Sequence, residues 1–178
     1  MKISRIAAII MALMLSALFI VFLGHDPIKV YLSMLEGSFG SVYRFKETII
    51  STIPLAITSL GILMAFKMKF WNIGAEGQMI MGAFFASYFA LSYPDMNRLL
   101  LLAVMLVAGA IGGGLWALIP AYFKSKYGTN EVLFTLMMNY VALKWITYLQ
   151  YGPWKDKNSL GFPKIPNFTA NAILPKLL

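Results

Sequence analysis

The feature that most constrains this chain is a series of uncharged, apolar runs whose lengths approach that of a bilayer crossing. A helix needs about 20 predominantly apolar residues to cross, because it rises ~1.5 Å per residue through a hydrocarbon core ~30 Å thick. Five runs meet or approach that length, at residues 6–24, 48–66, 78–93, 99–123 and 132–150. The predicted fold is therefore all-α, a polytopic transmembrane helical bundle of about five spans. Composition points the same way. Hydrophobic residues make up 60% of the chain and charged residues 12%, against about a quarter charged in ordinary soluble domains.

The first run follows Lys2 and Arg5 and so shares the charged start and apolar centre of a secretory signal. Phe22 and Gly24 make a poor small-residue cleavage site, which favours an uncleaved first span. His25, beside Asp26 and Pro27, reads as a solvated helix end. The second run holds Pro54 and Gly61, which membrane helices tolerate when neighbours satisfy the freed backbone groups, and it ends against Lys67 and Lys69. The third is short and is fed by the polar segment from Trp71 to Gln78. The fourth, the longest, contains Gly109, Gly112, Gly113 and Gly114. Gly109 and Gly113 have the spacing that lets helix backbones approach closely, and Pro120 reads as a kink or stop. Lys144 interrupts the fifth run and is expected to snorkel or pair with a neighbouring helix.

Beyond Tyr151, Gly152, Pro153, Gly161, Pro163, Pro166 and Pro175 break any helix. Residues 151–178 are expected to form an extracytoplasmic loop, and with nothing to close it at Leu178 the chain reads as the N-terminal part of a longer transmembrane domain. Lys2 with Arg5, Lys67 with Lys69, and Lys124 with Lys126 fall at alternate turns. Positive residues near span ends favour the cytoplasmic side, so the N-terminus is expected in the cytoplasm and the protein in the plasma membrane.

Several function classes are excluded by what the sequence lacks. There is no cysteine and a single histidine, so no disulfide framework, thiolate metal site or ordinary acid–base centre is expected. No H-E-x-x-H or G-x-S-x-G pattern occurs, which argues against an intramembrane enzyme, and neither catalytic residues nor a metal site are expected. The net charge of +8 is scattered between apolar runs. It suits contact with membrane lipid and not a nucleic acid. A phosphate-cradling G-x-x-x-x-G-K-[ST] loop is absent, so any ATP is hydrolysed elsewhere.

Two segments are too polar to be indifferent linkers, Lys67 to Gln78 and Lys124 to Asn139. In the first, Asn72 or Glu76 can cap the helix that follows. Alternatively the broken segment shapes a translocation path, as discontinuous helices do in other transporters. In the second, Thr129 or Asn130 can cap a helix whose first turn suits Glu131, or the turn can dock a partner.

The string Phe70-Trp71-Asn72-Ile73-Gly74-Ala75-Glu76-Gly77-Gln78-Met79, followed by Gly128-Thr129-Asn130-Glu131-Val132 and Met138-Asn139-Tyr140, resembles the permease family of nucleoside and simple-sugar ABC importers. The family is of the ribose and branched-chain amino acid type, and the likeness is closest to its nucleoside branch. It covers most of the chain from Thr48 onward. It implies a transport subunit without bound cofactor, a cytoplasmic ABC ATPase that uses the ATP, a second permease subunit and an extracytoplasmic substrate-binding lipoprotein of the basic membrane protein class. Gly128, Thr129, Asn130 and Glu131 would then seat on the ATPase. Family permeases are longer, with a second group of spans, so an isolated copy of this chain is not expected to transport.

A nucleoside is neutral and carries a flat base, so its path should offer aromatic faces and amide partners. Trp71, Asn72, Gln78 and Asn139 supply those, and with Glu76 they are the candidate pathway residues. The rival class is a secondary transporter or channel subunit, in which Glu76 or Lys144 would serve as an ionisable pathway residue. Dependence on an ATPase separates the two.

Overall fold

The computed structural model describes residues 5–157 and 159–175. Lys2 lies outside the described residues. Six α-helices follow in order, α1 Arg5–Phe22, α2 Pro27–Phe39, α3 Val42–Lys67, α4 Ala75–Ser92, α5 Arg98–Tyr127 and α6 Glu131–Tyr151, with a 3-10 turn at Ala170–Ala172. Contacts divide the chain into two units, one up to Ile57 and one from Thr58 onward.

In the first unit α1 ends on Gly24, whose φ of +81° is a left-handed conformation natural to glycine. The His25 amide donates to the Ile20 carbonyl at 3.1 Å and the Gly24 amide to Val21 at 2.9 Å, the paired closure of a Schellman C-cap. Asp26 at once caps α2, its carboxylate accepting from the Ile28 amide at 2.9 Å, with Pro27 opening the helix. The segments before and after this stop–start are bent by 115°. Tyr31 fastens the return, donating to the Leu13 carbonyl at 2.8 Å. No residue of α2 is buried, and Ile9, Leu13, Leu18, Leu32 and Leu35 all stand exposed, an apolar surface suited to lipid.

α3 begins six positions before the expected span, at Val42 rather than residue 48. Arg44, Lys46 and Glu47 bar hydrocarbon but not helix, so a search for uncharged runs finds the span and misses the helix's wet start. Pro54 is accommodated within α3.

The second unit packs α4 against both α5 and α6. The α4–α5 seam is built on glycine. A Cβ on Gly82 would sit 2.9 Å from the Gly109 carbonyl oxygen, and one on Gly113 would sit 3.0 Å from that of Gln78. Gly112 receives the Phe85 ring. The spacing of Gly109 and Gly113 thus does what it predicted, bringing two backbones into contact.

Beyond α6 the described residues form no long helix. The chain there packs on the end of the unit where α4 stops and α5 starts. Ala172 joins Ala90 and Leu101 in a small buried cluster flanked by Met96, Met105 and Phe168. Arg98 donates to the Ile173 carbonyl at 2.9 Å, and Trp154 stacks on Phe84 with centroids 5.3 Å apart. The segment expected as an aqueous loop is in this part an ordered cover.

Among the described residues α3, α5 and α6 are long and apolar enough to cross a membrane, and α1 with α2 qualifies as a bent pair. The run expected as a third span, 78–93, lies in the helix Ala75–Ser92. That helix falls short on apolarity because Glu76 and Gln78 occupy its first turn. By length and composition alone three of the described helices qualify, or four with the bent pair counted as one span. The molecule is a multi-pass, all-helical membrane protein.

Candidate functional site

α4 starts without a side-chain cap of its own, its N-cap position being Gly74. The free amides of a first helical turn require partners, and here they come from elsewhere in the chain. Asn139, in α6, accepts from the Gly77 amide through Oδ1 at 2.9 Å and donates from Nδ2 to the Ile73 carbonyl at 3.1 Å. Thr135, one turn earlier and wholly buried, accepts from the Ile73 amide at 3.2 Å and donates to the Glu131 carbonyl at 2.7 Å. Close approach is again permitted by glycine. A Cβ on Gly77 would lie 2.7 Å from Asn139 Oδ1, and one on Gly74 would lie 2.9 Å from Thr135 Cβ.

Asn72 closes the segment from within. Its Oδ1 accepts from the Gly74 amide at 2.9 Å, the turn an asparagine side chain makes with its own backbone. Its amide pairs reciprocally with that of Gln78 at 3.3 and 3.2 Å. The Asn72–Gln78 pair lines a groove of about 410 Å³ with Thr58, Gly61, Gly82 and Gly109. No ionisable side chain among the described residues lines this groove.

Of the five candidate pathway residues, then, Asn72 and Gln78 lie on the groove and Trp71, Glu76 and Asn139 do not. Trp71 is exposed and rests against Phe66, with centroids 5.1 Å apart. Glu76 is exposed in the first turn of α4, where its charge complements the helix dipole. Asn139 is committed to the backbone of the segment before α4. Lys144 stands on the exposed side of α6.

The second polar segment is a tight helix–turn–helix. Gly128 terminates α5 at φ +64°, with its amide on the Lys124 carbonyl, while Asn130 caps α6 by accepting from the Leu133 amide at 3.2 Å. Of the two residues able to cap, Asn130 does so. The Thr129 hydroxyl is buried and has no hydrogen-bond partner among the described residues. Glu131 is buried at 7% exposure and forms an ion pair with Lys124 at 2.6 Å. A carboxylate expected to face a partner thus faces inward, while Gly128 and Asn130 remain exposed. Lys126 adds a basic surface at the same turn, lying 5.4 Å from the Tyr122 ring centroid and 5.5 Å from that of Tyr127.

Sequence reasoning missed Thr135. A lone threonine in an apolar run signals nothing by itself, although its place one turn from both Glu131 and Asn139 puts all three on one helix face.

Glycine-seamed apolar helices with an amide-rich segment ahead of α4 define a multi-pass helical membrane protein, and comparison gives the family. Residues 45–175 match the sequence profile described as branched-chain amino acid transport system / permease component. The chain belongs to that family. It is similar to the nucleoside ABC transporter permease protein NupB of Lactococcus lactis, 33% identical over 142 residues that cover 80% of this chain and 39% of the relative. The guanosine ABC transporter permease protein NupP of Bacillus subtilis is 34% identical over 142 residues, 80% of this chain and 40% of the relative. The glucose ABC transporter permease protein TsgB13 of Haloferax volcanii is 30% identical over 172 residues, 97% of this chain and 45% of the relative. The chain spans less than half the length of these curated relatives. No solved structure matches it significantly.

Proposed function

We propose that the chain is part of the permease subunit of an ATP-driven ABC importer for nucleosides or simple sugars. The observation that carries this reading is the match over residues 45–175, joined to relatives named for nucleoside, guanosine and glucose transport. The uncharged groove supports it. A neutral polar solute pairs well with the Asn72 and Gln78 amides, whereas an ion-coupled carrier calls for an ionisable group on its path. Of the two substrate classes the nucleoside is favoured, because two of the three relatives are named for nucleoside or guanosine transport.

In this reading ATP is hydrolysed by a separate cytoplasmic ATPase, a second permease subunit completes the path, and an extracytoplasmic lipoprotein delivers substrate. The N-terminus is cytoplasmic. Gly128, Thr129, Asn130 and the neighbouring Lys126 form the surface that seats on the ATPase, with Glu131 bracing it from inside. Asn72 and Gln78 belong to the substrate path.

Deleting and restoring the gene that encodes this chain, with uptake of labelled guanosine, uridine and glucose measured, tests the reading. Uptake should fall on deletion, return on restoration, and persist when ion gradients are collapsed while ATP is maintained. Uptake that follows the ion gradient would contradict it.

A further inference from the structure

One face of α6 carries Glu131, Thr135 and Asn139 at intervals of four, so they stand in a row along the helix. Thr135 and Asn139 bond the backbone of the segment before α4, at the Ile73 amide, the Ile73 carbonyl and the Gly77 amide. Glu131, at the foot of the row, is ion-paired to Lys124 at the end of α5, and its backbone carbonyl accepts from the Thr135 hydroxyl at 2.7 Å. These interactions therefore bind the 128–131 turn, the first turns of α6 and residues 71–77 into one piece. Asn72 and Gln78, which line the groove, lie within or directly against that piece.

We infer that Glu131, Thr135 and Asn139 form a transmission ladder by which movement of the 128–131 turn is delivered to the Asn72–Gln78 pair at the groove. The three are positioning residues and touch no substrate. Side-chain bonds to backbone fix register in a way apolar packing does not, since sliding by one residue would break the bonds at Ile73 and Gly77 together. Among the described residues the α4–α5 seam shows no such bond, so the amide wall is free to shift along α5's glycines when the turn and α6 tilt. The inference rests on the importer reading.

The test uses the complete transporter with its ATPase in proteoliposomes and reads uptake per ATP hydrolysed. Thr135→Val keeps shape and removes the hydroxyl; Asn139→Leu removes both amide bonds. Each should lower uptake per ATP by about tenfold, the worth of one hydrogen bond of this kind, while assembly and ATP hydrolysis persist. Thr135→Ser should restore the ratio. Uptake and hydrolysis falling in step, or an unchanged ratio, would overturn the ladder.

A covalent lock covers the case in which those variants assemble poorly. The chain has no cysteine, and Gly74→Cys with Thr135→Cys places two sulfurs where a small shift allows a disulfide. If residues 71–77 move with α6, oxidation leaves uptake per ATP at or above the reduced level. Loss of uptake on oxidation, reversed by reductant, would show that the segment must part from α6 and would refute the ladder. A wild-type transporter with no ATP-driven uptake sinks the importer reading and the ladder with it.

Discussion

α4 is held on its two flanks by opposite kinds of contact. Toward α5 it offers glycine and carbonyl oxygen, with Gly82, Gly109 and Gly113 allowing backbone against backbone. Toward α6 it is held by side chains bonded to backbone, with partners 62 and 66 residues apart in sequence. Dispersion across smooth surfaces is strong in sum but indifferent to small translations. Buried hydrogen bonds are few but permit one register. A permease that alternates its opening needs both, a seam that tolerates sliding and a seam that does not.

The contrast predicts graded losses, each read from thermal unfolding of the purified transporter. Gly82→Leu should cost about 3 kcal/mol or more, because the new Cβ meets a backbone oxygen that cannot withdraw. Gly114→Ala, with open space at its Cβ, should be neutral or stabilising by about 0.5 kcal/mol. Equal losses at both would remove the seam's special geometry. On the other flank, Asn139→Ala should cost about 2 kcal/mol, since it strands the Gly77 amide and the Ile73 carbonyl. Asn130→Ala removes a local cap only and should cost about 1 kcal/mol. A reversed order would mean that α4 does not depend on α6 for its cap. Lys69→Gly should stabilise by about 1 kcal/mol, because Lys69 closes α3 at φ +58°.

Legibility in the sequence followed the range of the interactions. Two of the apolar runs match their helices to within a few residues, 99–123 against Arg98–Tyr127 and 132–150 against Glu131–Tyr151, because there the apolar run and the helix nearly coincide. They diverge where charge enters a helix. α3 extends back through Arg44 to Val42, and α4 begins at Ala75, ahead of the run. α2 is less legible, although Asp26-Pro27 is a cap followed by a first-turn proline, because the same pair also reads as the end of the helix before it. At the site, sequence picked out Asn72, Gln78, Asn139 and Glu131 as too polar to be idle. It had no means to show that Asn139 and Glu131 turn toward the chain's own backbone, since that pairing depends on how α4 and α6 pack.

On the proposed function this chain belongs to the membrane path of an ATP-driven importer. Its most direct measurement is reconstitution of the permease, expressed from its complete gene, with the ABC ATPase and substrate-binding lipoprotein proposed as its partners, followed by uptake in proteoliposomes. Guanosine or uridine uptake is expected to require ATP inside the vesicles and to stop when the ATPase is omitted. Uptake without the ATPase, driven by an imposed ion gradient, would contradict the proposal.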